Sequence, residues 1–457
     1  MSHGTEVSPL MREFSGYIAG ALKRKLPAQV AERAKIHLVD TFAAMLSGTR
    51  LVPGKAALKY ARTLAGNRDA GVIGTRIVTS ANNAALINGI CAHADETDDL
   101  HSPTRGHPGA CIVPATLAMS ERQEVSGETM LRAMVLGYDI GARTVRALKQ
   151  AAVARTGFHP SSKAGVIGAA ALAGALLRLD ADRIRYVLSF GAEQAAGLLI
   201  MHAASQHTEK AYVVGGMPAQ HGIEAALMVA SGFTGVDDVM AGEGNLLSCF
   251  SSEAEPEALV RGLGKDYEIM RCSIKYWAAG GPIQGPLHLL NDLMREHRFK
   301  ADEVEKLTVY MPPKSLEIVD NRDMPDICIQ HIMAVMLLDG NVNFKSTHDF
   351  SRMKDPKVLR LRKDHIEAVG DDSLTDPQRR WNGMMEVVLK DGRRHRLQTM
   401  AAKGVFDNPL TPEEAEKKAL DLMAPVLGKP RSKKLIAALL NIEDIKNARA
   451  LRRLYAV

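Results

Sequence analysis

The sequence predicts a mainly α fold: a large all-helical domain formed by both chain ends, residues 1–265 and 402–457, with a smaller α+β lid domain, residues 266–401, inserted between them. Three observations lead there. Apolar residues recur three and four positions apart through most of the first 260 residues. Strand-like alternation is confined to the stretch between about 266 and 400, and helical periodicity returns after it. At 457 residues the chain is also longer than one core usually organises.

The opening stretch, MSHGTEVSPLMREFSGYIAGAL, has no basic run leading into an apolar core and a cleavage site. It reads as the first helix of a mature cytoplasmic protein. PAQVAERAKIHLVDTFAAMLSG (27–48), GETMLRAMVLGYDIGARTVRAL (127–148) and DADRIRYVLSFGAEQAAGLLIMHAAS (180–205) each predict a helix. AGVIGAAALAGALLRL is shorter than the ~20 residues of a membrane span, and its small residues suit a tightly packed interior helix. The texture changes at KDYEIMRCSIKYW. Strands are predicted in EKLTVYMPP and in GMMEVVLKDGRRHRLQTM, where Asp391-Gly392 marks a hairpin turn, with helices GPLHLLNDLMREH and ICIQHIMAVMLLDG between them. A last helical region opens at TPEEAEKKALDLM, with Thr411 as N-cap, Pro412 next and Glu414 as the capping-box acid.

Composition narrows the function classes. Apolar residues at 46% and charged residues at 24% are an ordinary globular balance. A net charge of +6 with interleaved signs and only 5% aromatics argues against nucleic-acid binding, and no stretch argues for membrane insertion. The five cysteines, Cys91, Cys111, Cys249, Cys272 and Cys328, are widely spaced and contain no CxxC, so reduced, mostly buried thiols are expected rather than a disulfide framework or a thiolate metal centre.

Titratable chemistry concentrates in HADETDDLHSPTRGHPG, residues 93–109. A solvated charged loop is the plain alternative. Helical spacing would put His93 and Glu96 on one face, while His101 and His107 fall on a Gly/Pro-shaped loop before an apolar helix. A divalent metal is the less favoured use of this cluster, since no HExxH-like spacing supports one. In TGFHPSSKAG, His159, Ser161, Ser162 and Lys163 stand at a helix start, where free N–H groups suit a carboxylate, though serine N-capping alone also explains the stretch. His202, His207 and Lys210 follow an apolar helix, and Lys275 lies between Ile274, Tyr276 and Trp277, where it must reach water or meet an anion.

Together, DTFAAMLSG, NAALINGICAHADETDDLH, GHPGACIVPATLA, GYDIGAR, GFHPSSKAGVIGAAA, PAQHGIEAALMVASGFTG, IKYW, MLLDG and NPLTPEEAEKKALDLM resemble the MmgE/PrpD family, which includes 2-methylcitrate dehydratases, cis-aconitate decarboxylases and an iminodisuccinate epimerase. The likeness runs over almost the whole chain. It implies a helical domain plus a smaller lid, a homodimer, and chemistry on small di- or tricarboxylates with no cofactor and no metal. It points to Glu96, His107, His159, Lys210 and Lys275 as catalytic residues, and Asp99, His101, Ser162, Lys163 and His331 are the expected substrate contacts. Four departures bear on substrate: Leu100 replaces a threonine, the loop after Lys210 is about one residue longer, the Pro and His usual after Lys275 are missing, and His331 stands where decarboxylase-like members carry an aromatic hydroxyl.

The expected reaction is dehydration of a β-hydroxy polycarboxylate, 2-methylcitrate-like, by proton abstraction next to a carboxylate. Decarboxylation, epimerisation, or carboxylate binding without catalysis are the alternatives. The intermediate is an enolate beside a carboxylate, which cationic groups such as Lys210 and Lys275 must stabilise. His107 and His159 are the expected acid/base pair, with Glu96 or Asp99 holding one imidazole in its tautomer.

Overall fold

A computed structural model describes residues 6–203, 207–376, 379 and 381–457. The chain forms two compact units, Met1–Cys272 with Leu422–Val457, and Ser273–Asp421.

The first unit is built from helices α1 (Pro9–Gly20), α2 (Ala28–Gly48), α3 (Val52–Ala61), α4 (Ala81–Ala92), α5 (Pro108–Arg122), α6 (Gly127–Leu148), α7 (Gln150–Arg155), α8 (Pro160–Leu176), α9 (Ala181–Glu193), α10 (Thr208–Ala211) and α11 (Met217–Ala230). Helix α8 lies at its centre, with every residue buried. Its Ala/Gly composition has a direct steric cause. A Cβ on Gly168 would lie 2.4 Å from the Gly137 carbonyl oxygen, and one on Gly141 would lie 2.4 Å from that of Ala164, so α6 and α8 meet backbone to backbone. Such contact brings the two backbones closer than larger side chains would allow.

The predicted helix over 180–205 is shorter in the structure. Asp180 caps α9, accepting from Arg183 N, but the helix stops at Glu193. Gly197 at φ +99° carries the chain tightly past α8, where a Cβ would sit 2.2 Å from Ser162 Oγ. Residues 204–206 lie outside the described residues.

The chain's last residues belong to this unit through one buried carboxylate. Glu121, near the end of α5, accepts from Gly71 N (2.8 Å), Arg452 Nε (2.6 Å) and the Tyr455 hydroxyl. Burial pushes its carboxyl up, against the pull of Tyr455 and Arg452.

In the second unit, strands β1 (Val304–Met311), β2 (Ile366–Gly370), β3 (Gly383–Leu389) and β4 (Arg394–Thr399) form one sheet in the order β2-β1-β3-β4. The β1/β2 pair is parallel and the others antiparallel. Gly392, at φ +89°, makes the predicted hairpin turn. The helices Gln284–His297 and Ile329–Asp339 contribute Leu287, Leu290, Ile332 and Val335 to a core shared with Val309 and Val387 of the sheet. The expected bounds of 266 and 401 differ from those of the compact unit for local reasons. Glu268 is tied to His101 and Arg146 of the first unit, whereas Gly404 O accepts from Ile274 N and Phe406 N donates to Ser273 Oγ. The boundary falls inside the helix Pro412–Leu427, whose start carries the predicted capping box: Glu414 N to Thr411 Oγ1 at 3.2 Å and Thr411 N to Glu414 Oε2 at 2.8 Å.

Cys91, Cys111, Cys272 and Cys328 are buried free thiols and Cys249 is exposed. Among the described residues no helix is long and apolar enough to cross a membrane.

Candidate active site

Helix α4 ends at Ala92, with His93 as its C-cap, so the helical alignment expected for His93 and Glu96 does not form. The chain turns instead, because the Asp95 carboxylate accepts from both Thr97 N (3.0 Å) and Thr97 Oγ1 (2.8 Å). The two aspartates that follow take different partners. Asp98 Oδ2 lies 3.0 Å from His93 Nδ1 and 3.2 Å from His107 Nδ1. Asp99 accepts from Tyr138 Oη (2.8 Å) and Gly109 N (2.8 Å) and lies 2.7 Å from His37 Nδ1. His107 Nδ1 is also 2.9 Å from the Asp99 carbonyl oxygen. A carbonyl only accepts, so the proton of neutral His107 sits on Nδ1 and its Nε2 keeps a basic lone pair.

Beside this pair, Glu96 Oε1 forms an ion pair with Lys210 of α10, and His207 Nε2 lies 3.6 Å from the same oxygen. The ring of His93 stands between its neighbours, 4.8 Å from that of His107 and 5.1 Å from that of His207. Burial lowers the pKa of His93, against the pull of Asp98. His207 is pushed down to about 3 by burial, with Lys210 adding to the effect. Both imidazoles are therefore neutral near pH 7. Two sets of donor atoms here could hold a metal ion: those of His93, Glu96 and His207, and those of His93, Asp98 and His107, each within 4.8 Å of one another.

His159 is the N-cap of α8, its Nδ1 accepting from Ser161 N at 3.2 Å. This is the reverse of His107. The proton of neutral His159 belongs on Nε2, which makes that atom a donor. Ser161 links the two histidines, since its Oγ accepts from His107 N at 3.1 Å. A small cavity lined in part by His107, Ser161, Thr104, Cys111 and Tyr138 has room for about one water.

The remaining predicted contacts of this unit hold the fold around the histidines. His101 spans Thr104 Oγ1 (2.8 Å) and Glu268 Oε2 (3.1 Å), so both ring nitrogens are engaged. Ser162 Oγ donates to the His159 carbonyl at 2.9 Å. Lys163 turns away from the helix start: its Nζ donates to Ala195 O at 2.8 Å and lies over the rings of Phe158 (3.9 Å) and Phe250 (3.6 Å). Burial pulls that ammonium down to about 7.

Two predicted residues belong to the second unit. Lys275 is buried, in the irregular chain after Ser273. His331, in the first turn of Ile329–Asp339, is fully buried with neither ring nitrogen hydrogen-bonded among the described residues. Burial pushes it down to about 4, with Arg362 and Arg352 adding to the effect.

The structure thus brings Glu96, Lys210 and His107 into one cluster and joins His159 to it through Ser161. Sequence reasoning singled out His93 and His207 without giving them a catalytic role, and it missed the pairing of Asp98 with His93 and His107 and the part of His37. Nothing in the sequence ties His37 to an aspartate 62 positions away.

Residues 12–259 match the family described as MmgE/PrpD N-terminal domain, and residues 277–444 match the MmgE/PrpD C-terminal domain. The chain is 25% identical to human cis-aconitate decarboxylase, over 97% of this chain and 94% of that protein. It is likewise 25% identical to the cis-aconitate decarboxylase-like protein oryM of Aspergillus oryzae, over 94% of each, and to cis-aconitate decarboxylase of Mus musculus, over 96% of this chain and 92% of that one.

Proposed function

Because this chain belongs to the MmgE/PrpD family, we propose that it is a lyase that needs no cofactor and acts on a small di- or tricarboxylate by moving a proton at carbon next to a carboxylate. One observation carries the reading: two neighbouring imidazoles held in opposite tautomers, His107 with a basic Nε2 and His159 with an Nε2–H. Such a pair suits elimination of water. His107 Nε2 takes the proton from the carbon, the electron pair forms the new double bond, and His159 Nε2–H protonates the departing hydroxyl. Asp98 stabilises the imidazolium that forms on His107. The Lys210 ammonium offsets the charge that develops on the substrate carboxylate.

A second reading, loss of CO2, is favoured by the relatives named cis-aconitate decarboxylases. It requires only the cation and a proton delivered to carbon, a task within reach of His159.

The test is to incubate the protein in D2O with 2-methylcitrate, citrate, cis-aconitate and iminodisuccinate and to follow deuterium incorporation and products by NMR. Water loss or addition supports the first reading and CO2 release the second. Neither exchange nor turnover across this panel refutes the substrate class. His159→Ala is expected to lower turnover by about 100-fold or more with the fold intact.

A further inference from the structure

The cluster described above holds a second function. We infer that His93 Nε2, His207 Nε2 and one oxygen of Glu96 form a site for a divalent transition cation of the zinc type, and that occupancy switches the enzyme off. The inhibitory part rests on the lyase reading; the site itself does not.

Four features argue for the site. The donor set, two imidazole nitrogens and a carboxylate, is that of three-ligand zinc sites, with the fourth position left to solvent. Donors about 2.0–2.2 Å from a tetrahedral ion stand roughly 3.3–3.6 Å apart. His207 Nε2 and Glu96 Oε1 are separated by 3.6 Å, and the three donors lie within 4.8 Å of one another, so closure needs little movement. His93 is wholly buried, its Nδ1 is held by Asp98 at 3.0 Å, and its Nε2 has no hydrogen-bond partner among the described residues. A carboxylate on the far nitrogen of an imidazole is the usual outer support of a metal-bound histidine, because it fixes the tautomer and aims the lone pair. Finally, the Glu96 and His207 side chains retain 13% and 12% exposure, which leaves an entry path on that side of the cluster.

The route to inhibition follows from the ion pair. Glu96 Oε1 is already paired with the Lys210 ammonium, so a cation on that oxygen must displace Lys210 and hold His93 against Glu96. The lysine then loses the anchor that positions it, and the proton-transfer set is disrupted without any covalent change. Cation and ammonium compete for one oxygen.

The competition makes the proposal testable in both directions. The full-length, metal-free chain is titrated with Co2+ while the visible ligand-field absorption of tetrahedral N/O coordination is recorded, and turnover is measured in the same samples. One Co2+ per chain is expected, displaced by Zn2+, with turnover falling in step with the absorbance. His207→Gln should abolish the signal. Asp98→Asn should weaken it by about 10–100-fold, the usual cost of losing an outer support. Lys210→Met should tighten binding, an outcome that damage to the fold cannot produce. A titration without saturation, an unchanged signal in His207→Gln, or weaker binding in Lys210→Met overturns the site. Saturation with undiminished turnover overturns the inhibition. Absence of any turnover before metal is added would count against the lyase reading, and the absorbance would still decide the site.

Discussion

Replacing Asp98 with asparagine tests the arrangement at its centre. The carboxylate of Asp98 stands between two Nδ1–H groups, at 3.0 Å from His93 and 3.2 Å from His107, and is fully buried. Both contacts go to Oδ2, so an amide oxygen in its place can still accept from both imidazoles, but it carries no negative charge. His107 keeps its 2.9 Å bond to the Asp99 carbonyl and hence its tautomer. What it loses is the negative charge that stabilises the imidazolium formed when Nε2 takes a proton. A hydrogen bond to a charged group contributes about 1.5–3 kcal/mol, so kcat/KM should fall by roughly 10- to 150-fold. The assay is kcat/KM on whichever carboxylate the NMR panel identifies, with thermal unfolding as the check on folding and the affinity of an unreactive polycarboxylate as the check on binding. Undiminished kcat/KM would refute the role given to Asp98 and, with it, that of His107 as base.

Other perturbations probe the surroundings. A Cβ on Gly109 would lie 2.7 Å from both Asp99 Oδ1 and Thr41 Oγ1 and 2.9 Å from Tyr138 Oη, so Gly109→Ala should cost about 1–3 kcal/mol in urea unfolding and lower turnover by displacing Asp99. His207 binds its proton near pH 3 when folded and near 6.5 otherwise. Between those values the unfolded chain holds the extra proton, so this residue makes the protein lose stability as pH falls from 6.5 toward 3. Urea midpoints of His207→Gln should depend less steeply on pH across that window than those of wild type. Removing the buried Glu121 carboxylate leaves Arg452 without its partner, and Glu121→Ala should destabilise by about 3 kcal/mol, read from the same midpoints.

The fold class and most elements were legible because their causes are local. The period of apolar residues, the Thr411–Glu414 capping box and the Asp391-Gly392 turn are each decided within a few positions. The stop of α9 at Glu193 was not legible, since it depends on Gly197 passing against Ser162, a contact between segments far apart in the chain. The candidate site divides in the same way. Glu96, His107, His159 and Lys210 sit in motifs whose composition already suggests chemistry. The choice of carboxylate was missed: Asp98, rather than Glu96 or Asp99, supports the His93–His107 pair through its side chain, because the Asp95–Thr97 turn sets the direction of the next two side chains. The jobs of His101 and Lys163 are likewise set by Glu268, Phe250 and Ala195, none of which adjoins them in sequence.

The bond between Glu121 and Arg452 spans 331 positions and has a consequence for synthesis. At bacterial-to-eukaryotic translation speeds, on the order of tens of seconds separate the emergence of the two ends of that contact. During this interval the helical unit has an acid at the end of α5 with water in place of its guanidinium and phenol, while residues 273–421 are already free to collapse on their own. The helical unit therefore completes its packing only after Arg452 and Tyr455 have emerged, and loss of these two residues amounts to loss of part of its interior.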